Sequence, residues 1–234
     1  MAAGLLYVYT DPGPDGPVSE AEYHDWYDHE HGPGRMTVPG FTGACRYQAI
    51  DGLQPPWLAL YETASLDVLD GPEYKALIAA GSAREKFIMT NLAVLDRRIY
   101  EQVSEDVPAG AGAPDGGAPG GWAPGGWAPA ILSVANTVPP QTEDDMAAWY
   151  RDEHIPMLLE VPGWRRIRRY RLTGGSGGPG WSAPDWLSLH ELAGPEVLEE
   201  PAYRAAVSTP WRDRIVASAL RRERRVFGFR NAFC

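Results

Sequence analysis

Cysteine is nearly absent from this 234-residue chain: Cys45 and Cys234 are its only two, far apart in sequence. That speaks against a disulfide framework and makes a reducing cytoplasm the expected compartment. No run of about 18 apolar residues occurs, so no membrane-spanning helix is expected. The opening Met1-Ala2-Ala3-Gly4 has no basic flank or long apolar region, so no signal peptide is expected either. Lysine is scarce beside arginine, and the formal charge is −10. A general nucleic-acid or anionic-membrane binder is therefore not expected. Phosphate loops, dinucleotide fingerprints, nucleophile elbows and zinc-ligand spacings are missing as well. A local exception to the negative balance is Arg165-Arg166-Arg168-Arg169-Arg171, either a solvated strand face or an anion-attracting rim.

What the chain does have is a repeat. Trp26-Tyr27-Asp28-His29-Glu30-His31-Gly32-Pro33 returns 123 residues later as Trp149-Tyr150-Arg151-Asp152-Glu153-His154-Ile155-Pro156. Val38-Pro39-Gly40-Phe41 returns as Val161-Pro162-Gly163-Trp164, and Arg46-Tyr47 as Arg169-Tyr170. After a six-residue slip, Trp57 to Glu62 matches Trp186 to Glu191 at an offset of 129. A period this long exceeds any solenoid unit and reads as a duplicated domain. The expected boundaries are a first repeat at 1–104, a Gly/Ala/Pro-rich linker at 105–128 and a second repeat at 129–234. The linker composition cannot bury enough apolar surface to order itself, apart from pinning by Trp122 and Trp127.

Local signals give each half the order β-α-β-β-α-β. In the first, a strand at Leu5–Tyr9 is followed by a helix capped by Ser19, with Glu22 three residues on, and ended by Pro33 and Gly34. Strands follow at 41–50 and 57–63, then a helix from Leu66 to about Asn91 interrupted at Gly81, then a strand at 94–103. The second half reads as strand 130–138, helix 143–159, strands 164–173 and 185–192, a helix at 195–219 broken at Pro210, and strand 221–230. The Gly-rich insert Gly174 to Gly180 accounts for the slip.

The helix end W-Y-x-x-E-H-x-P, followed by V-P-G-[FW] and an Arg-Tyr strand, resembles the dimeric α/β-barrel superfamily, in its EthD-like branch. The resemblance covers both halves but not the linker. It implies an α+β fold of two ferredoxin-like β-α-β-β-α-β repeats packed sheet to sheet as an intrachain dimeric α/β barrel. It also implies a monomer with an internal pseudo-dimer. Members of that superfamily include cofactor-free oxygenases of aromatic polyketides, polyketide cyclases and decarboxylases, lactone isomerases, haem-degrading enzymes and proteins without known activity. No cofactor or metal is expected here, and haem has no sequence handle beyond a histidine.

Comparison of the halves suggests which residues face a cavity. Leu6 and Val8 match Leu132 and Val134, apolar in both, which suits a helix-packed face. Alternation then sends Tyr7 and Tyr9, and their counterparts Ser133 and Ala135, to the inter-sheet face. On the third strand the same logic groups Trp57, Ala59 and Tyr61 with Trp186, Ser188 and His190 on that face. Large tyrosines in the first half against small residues in the second place the deeper pocket in the C-terminal half; complementary packing of large against small is the alternative.

The expected catalytic residues are His154, Glu153, His190, His31 and Glu30, because a part-buried Glu-His pair suits acid/base work near neutrality. The competing reading is architectural: histidine at a helix C-terminus and glutamate as an anchor for backbone or arginine. His190 is either part of the site or a satisfied core histidine. His24 and His29, without counterparts in the other half, read as solvated surface. The expected substrate-binding residues are Tyr7, Tyr9, Tyr61, Trp149, Tyr170, Trp186 and Arg168. The leading function is a cofactor-independent lyase, cyclase or isomerase acting on a small apolar or aromatic, polyketide-like secondary metabolite. The alternatives are a cofactor-free oxygenase and a non-catalytic ligand-binding protein.

Overall fold

The computed structural model of the chain describes residues 2–109 and 126–233. Trp122 and most of the Gly/Ala/Pro-rich text lie outside the described residues, whereas Trp127 and Ala128 are buried. The chain divides into two compact units, one of residues 2–102, 172–183 and 229–233, the other of residues 103–171 and 184–228. Each unit thus takes in strand ends from the opposite half of the sequence.

In the first unit the elements run β1 (Gly4–Asp11), α1 (Glu20–Trp26), α2 (Gly32–Met36), β2 (Phe41–Ala49), β3 (Trp57–Thr63), α3 (Pro72–Ala79), α4 (Ala83–Asn91) and β4 (Val94–Asp106). The antiparallel sheet order is β4-β1-β3-β2. The second unit repeats this with β5 (Ala130–Thr137), α5 (Glu143–Trp149), α6 (Ile155–Leu159), β6 (Trp164–Ser176), β7 (Trp186–Leu192), α7 (Pro201–Ala206), α8 (Pro210–Ser218) and β8 (Arg221–Phe233). Its sheet order is β8-β5-β7-β6.

The first long helix of the first half does not end at Pro33 and Gly34, and that of the second half runs over 143–159 as expected. Between α1 and α2, and between α5 and α6, lies one π-helical turn, Tyr27–His31 and Tyr150–His154. There the amides of Gly32 and Ile155 reach five residues back, to the carbonyls of Tyr27 and Tyr150. The wider turn relieves the clash a proline ring makes with the carbonyl four residues earlier, so Pro33 and Pro156 are accommodated. Both helices stop at the V-P-G turn. Gly40 and Gly163 take φ of 95° and 85°, and a Cβ there would come within 2.5 Å of Val68 and 2.7 Å of Val197. Only glycine meets both demands.

Cross-strand register corrects the expected sheet faces. Leu6 pairs with Tyr61 and Val8 with Ala59, so these four share the face on which Trp26, Tyr27 and Ile88 pack. Likewise Leu132 pairs with His190 and Val134 with Ser188 on the helix side of the second sheet. Tyr7 and Tyr9 pair with Leu60 and Leu58 on the opposite face. There the Tyr7 hydroxyl donates to that of Tyr9 at 2.6 Å, and Arg98 lies 5.0 Å over the Tyr9 ring while bonded to Asp96. Arg168 and Tyr170 are also on the opposite face of their sheet, paired with Leu189 and Leu187. Both faces are buried, so apolarity alone could not tell them apart.

Candidate functional site

Each unit encloses a cavity between its sheet and its helices, on the face that carries the paired histidines. The first has a volume of about 270 Å³. Leu6, Val8, Trp26, Met89 and Leu95 give it apolar walls, and His31, Arg35, Tyr61 and Glu85 bring polar groups to it. The π turn delivers His31, α2 delivers Arg35, β3 delivers Tyr61 and the first turn of α4 delivers Glu85.

The His31 ring lies against Trp26 and Tyr27, with centroid separations of 4.4 and 4.9 Å. Its Nδ1 is 3.3 Å from Glu85 Oε1, and the same carboxylate oxygen is 3.1 Å from Arg35 Nη2. Nδ1 is buried and, at this distance, contacts the carboxylate without a hydrogen bond. Burial pushes the His31 pKa down to about 4, against the pull of Glu85, so the imidazole is neutral at pH 7. The imidazole beside Glu85, then the Arg35 guanidinium, holds that carboxyl down to about 2 despite its partial burial. The Tyr61 hydroxyl donates to Tyr27 at 2.8 Å, and burial raises both phenols, keeping them protonated.

The second cavity is smaller, about 150 Å³. That reverses the expectation of a deeper pocket in the C-terminal half. The reason lies in its lining: Trp149, Trp164, Tyr203 and both His154 and His190 fill the space under α5 and α8. His154 stacks on Trp149 with a 4.2 Å centroid separation and a 21° interplanar angle, and His190 meets Trp164 edge-on at 5.3 Å. Burial drives the His154 pKa to about 3 against the pull of the Ala206 backbone, and the charges of Arg212, Arg169 and Arg222 add to the fall. His190 is held well below its ordinary value by burial first.

Glu30 and Glu153 line neither cavity. Glu30 accepts a short hydrogen bond from the Ser82 hydroxyl, which itself caps α4 by accepting from the Glu85 amide at 2.9 Å. Glu153 accepts from Thr209 Oγ1 at 2.5 Å and Trp149 Nε1 at 3.2 Å, and Thr209 caps α8 through the Arg212 amide. The repeated glutamate thus bolts the π turn to the N-terminus of the last helix in each half. Of the other expected residues, Tyr61 and Trp149 line the cavities. Trp186 packs on the helix side under the guanidinium groups of Arg171 and Arg169, at 4.5 and 5.5 Å. Tyr7, Tyr9, Tyr170 and Arg168 point away from both cavities. His24 is not simply solvated: it packs edge-on against Trp57 at 4.4 Å, and its Nδ1 lies 3.0 Å from Arg46 Nη2.

Arg35, Glu85, Arg212 and Arg222 were missed in the sequence. Glu85 and Arg212 each stand three residues after the helix-capping Ser82 and Thr209, a spacing that would have paired them. Among the described residues no group of three or more metal-ligating side chains comes together. A haem is far larger than either cavity, so these sites do not fit one.

No protein-family model matches the sequence, and no curated protein does. Solved structures do match. An anthrone oxidase-like protein shares 14% identity at a TM-score of 0.64, with 99% of this chain and 92% of that one covered. A provisionally assigned monooxygenase from Lactobacillus acidophilus shares 8% at 0.57, covering 100% and 96%. A mutant chlorite dismutase from Candidatus Nitrospira defluvii, in complex with cyanide, shares 12% at 0.52, covering 98% and 91%. At these identities the likeness shows the fold alone: ferredoxin-like α+β, of the α/β-barrel class.

Proposed function

We propose that the chain is a cofactor-independent enzyme that takes a proton from a small, largely apolar, aromatic substrate in the first cavity. The observation that carries this is a neutral, buried imidazole held against a carboxylate and beside a buried arginine in a pocket of about 270 Å³. Glu85 beside Nδ1 favours the tautomer with its proton there, which leaves Nε2 of His31 as the base. Glu85 also stabilises the imidazolium once the proton arrives, as a carboxylate orients a histidine in other enzymes. Arg35 supplies the positive charge for an enolate or phenolate oxygen, and the apolar walls exclude water, strengthening that attraction. Tyr61 and Tyr27, kept as phenols, fix the wall beside the base.

Protonation of the carbanion at another atom gives isomerisation, its attack on a carbonyl of the same molecule gives cyclisation, and expulsion of a β-hydroxyl, which leaves as water with the proton held on His31, gives dehydration; in decarboxylation the carbanion forms by loss of carbon dioxide and is then protonated. A carbanion that meets dioxygen instead gives oxygenation, and the likeness to an anthrone oxidase-like protein favours that second fate. For anthrone the balance is one dioxygen consumed and one water released per anthraquinone formed. The same reading takes the protein to be a cytoplasmic monomer whose second half is a tandem copy of the first.

Anthrone is also the test. Incubated anaerobically in deuterated water, it should exchange its ring methylene protons in the presence of the protein, and in air it should yield anthraquinone. His31→Gln should slow both by a factor of about 10²–10⁴. Exchange that persists at the wild-type rate in His31→Gln would refute His31 as the base.

A further inference from the structure

The second cavity has the same walls as the first but no carboxylate: Arg212, Arg222 and Arg224 line it, whereas Glu85 accompanies Arg35, Lys86 and Arg97 in the first. Where Glu85 stands three residues beyond the cap of α4, Arg212 stands three beyond the cap of α8. Leu95, paired with Thr10 across β4 and β1, is replaced by Arg222, paired with Asn136 across β8 and β5. Arg224 holds the place of Arg97, each donating to a tyrosine hydroxyl, Tyr203 at 3.3 Å and Tyr74 at 3.2 Å. Among the described residues the Arg212 guanidinium pairs with one carboxylate, that of the exposed Asp213 beside it, at 2.9 Å. Among the described residues no carboxylate pairs with Arg222 or Arg224. Deeper in, Nδ1 of His154, Nδ1 of His190 and Nε1 of Trp164 are buried without hydrogen-bond partners.

We propose that this second cavity is a binding site for a small organic anion: a carboxylate on a flat apolar body, seated between Arg212 and Arg222 with its body against Trp164, Val134 and Ile215. Three guanidinium groups at one mouth repel one another unless an anion lies among them, and a carboxylate matches their planar donor geometry. The unpaired imidazole and indole nitrogens give a polar substituent on the body something to bind. A benzoate-sized ligand suits about 150 Å³. The proposal does not rest on the reaction assigned to the first cavity, because binding here is read without turnover.

The experiment is calorimetric titration of the full chain with benzoate, its neutral isostere benzamide, and inorganic phosphate, with melting curves to verify that every variant is folded. Benzoate should bind with an affinity that falls as salt rises, and benzamide should bind at least about tenfold more weakly. Arg222→Leu, which installs the residue type found at Leu95, and Arg212→Gln should each weaken benzoate about tenfold. His31→Gln, in the other cavity, should leave benzoate affinity unchanged. Equal affinity for benzamide, no benzoate binding at millimolar concentration, phosphate binding as tightly as benzoate, or a folded Arg222→Leu that binds like wild type would each overturn the proposal. So would a loss confined to His31→Gln, which would place the ligand in the first cavity.

Discussion

The two cavities share a frame and differ in charge. Both have a π turn that presents a histidine beside a tryptophan, and a glutamate that fastens this turn to a helix cap. Yet His31 faces Glu85 and Arg35, while His154 faces Arg212 with Leu158 where Arg35 would be. A base needs support for the cation it becomes, and only the first cavity provides a carboxylate for that. The lesson is that the repeated W-Y-x-x-E-H text marks the scaffold, and the unrepeated residues around it decide the chemistry.

The comparison breaks most readily at those unrepeated residues. Arg35→Leu and Glu85→Gln should each lower turnover of a first-cavity substrate by about 10–100-fold. Arg212→Gln should change it by less than about twofold, and a drop as large as that of Glu85→Gln would end the distinction between the halves. All three variants are scored by kcat on anthrone, beside a melting curve.

A second test concerns pH, where the halves should behave alike. His31 and His154 have folded pKa values of about 4 and about 3, below the unfolded value near 6.5. Between those values the unfolded chain binds more protons, so stability is complete above pH 6.5 and is lost as pH falls toward 4. Each group contributes on the order of 3 kcal/mol to that loss. Tm should therefore fall between pH 7 and pH 5, and His154→Gln should flatten the fall. A Tm independent of pH in that window would show that these rings are not buried as neutral bases.

Smaller effects should be shared. Gly40→Ala and Gly163→Ala should each cost about 1–3 kcal/mol in urea unfolding, through positive φ and the contacts with Val68 and Val197. Ser82→Ala and Thr209→Ala should each cost about 1 kcal/mol, since each removes a cap and one hydrogen bond to Glu30 or Glu153. Unequal losses within either pair would mean that the shared frame is less symmetric than its bonds suggest.

Much of this frame was legible in the sequence. Local strand, cap and turn signals gave the element order, and offsets of 123 and 129 showed that the two halves repeat it. The histidines were found, and they do reach cavities. The face of the strands was misread because Leu6, Leu58 and Leu60 look alike in sequence, and only the register sets Leu6 beside Tyr61. The role of Glu30 was hidden because its partner, Ser82, is 52 residues away. Pocket size depended on how Trp149, Trp164 and Tyr203 fill space, which no spacing rule reports.

The most direct test of the central claim is turnover of anthrone by His31→Gln and His154→Gln side by side, at matched concentrations of folded protein. His31→Gln should lose a factor of about 10²–10⁴ and His154→Gln less than about threefold. Equal losses, or a larger loss at His154, would contradict the assignment of base chemistry to the first cavity.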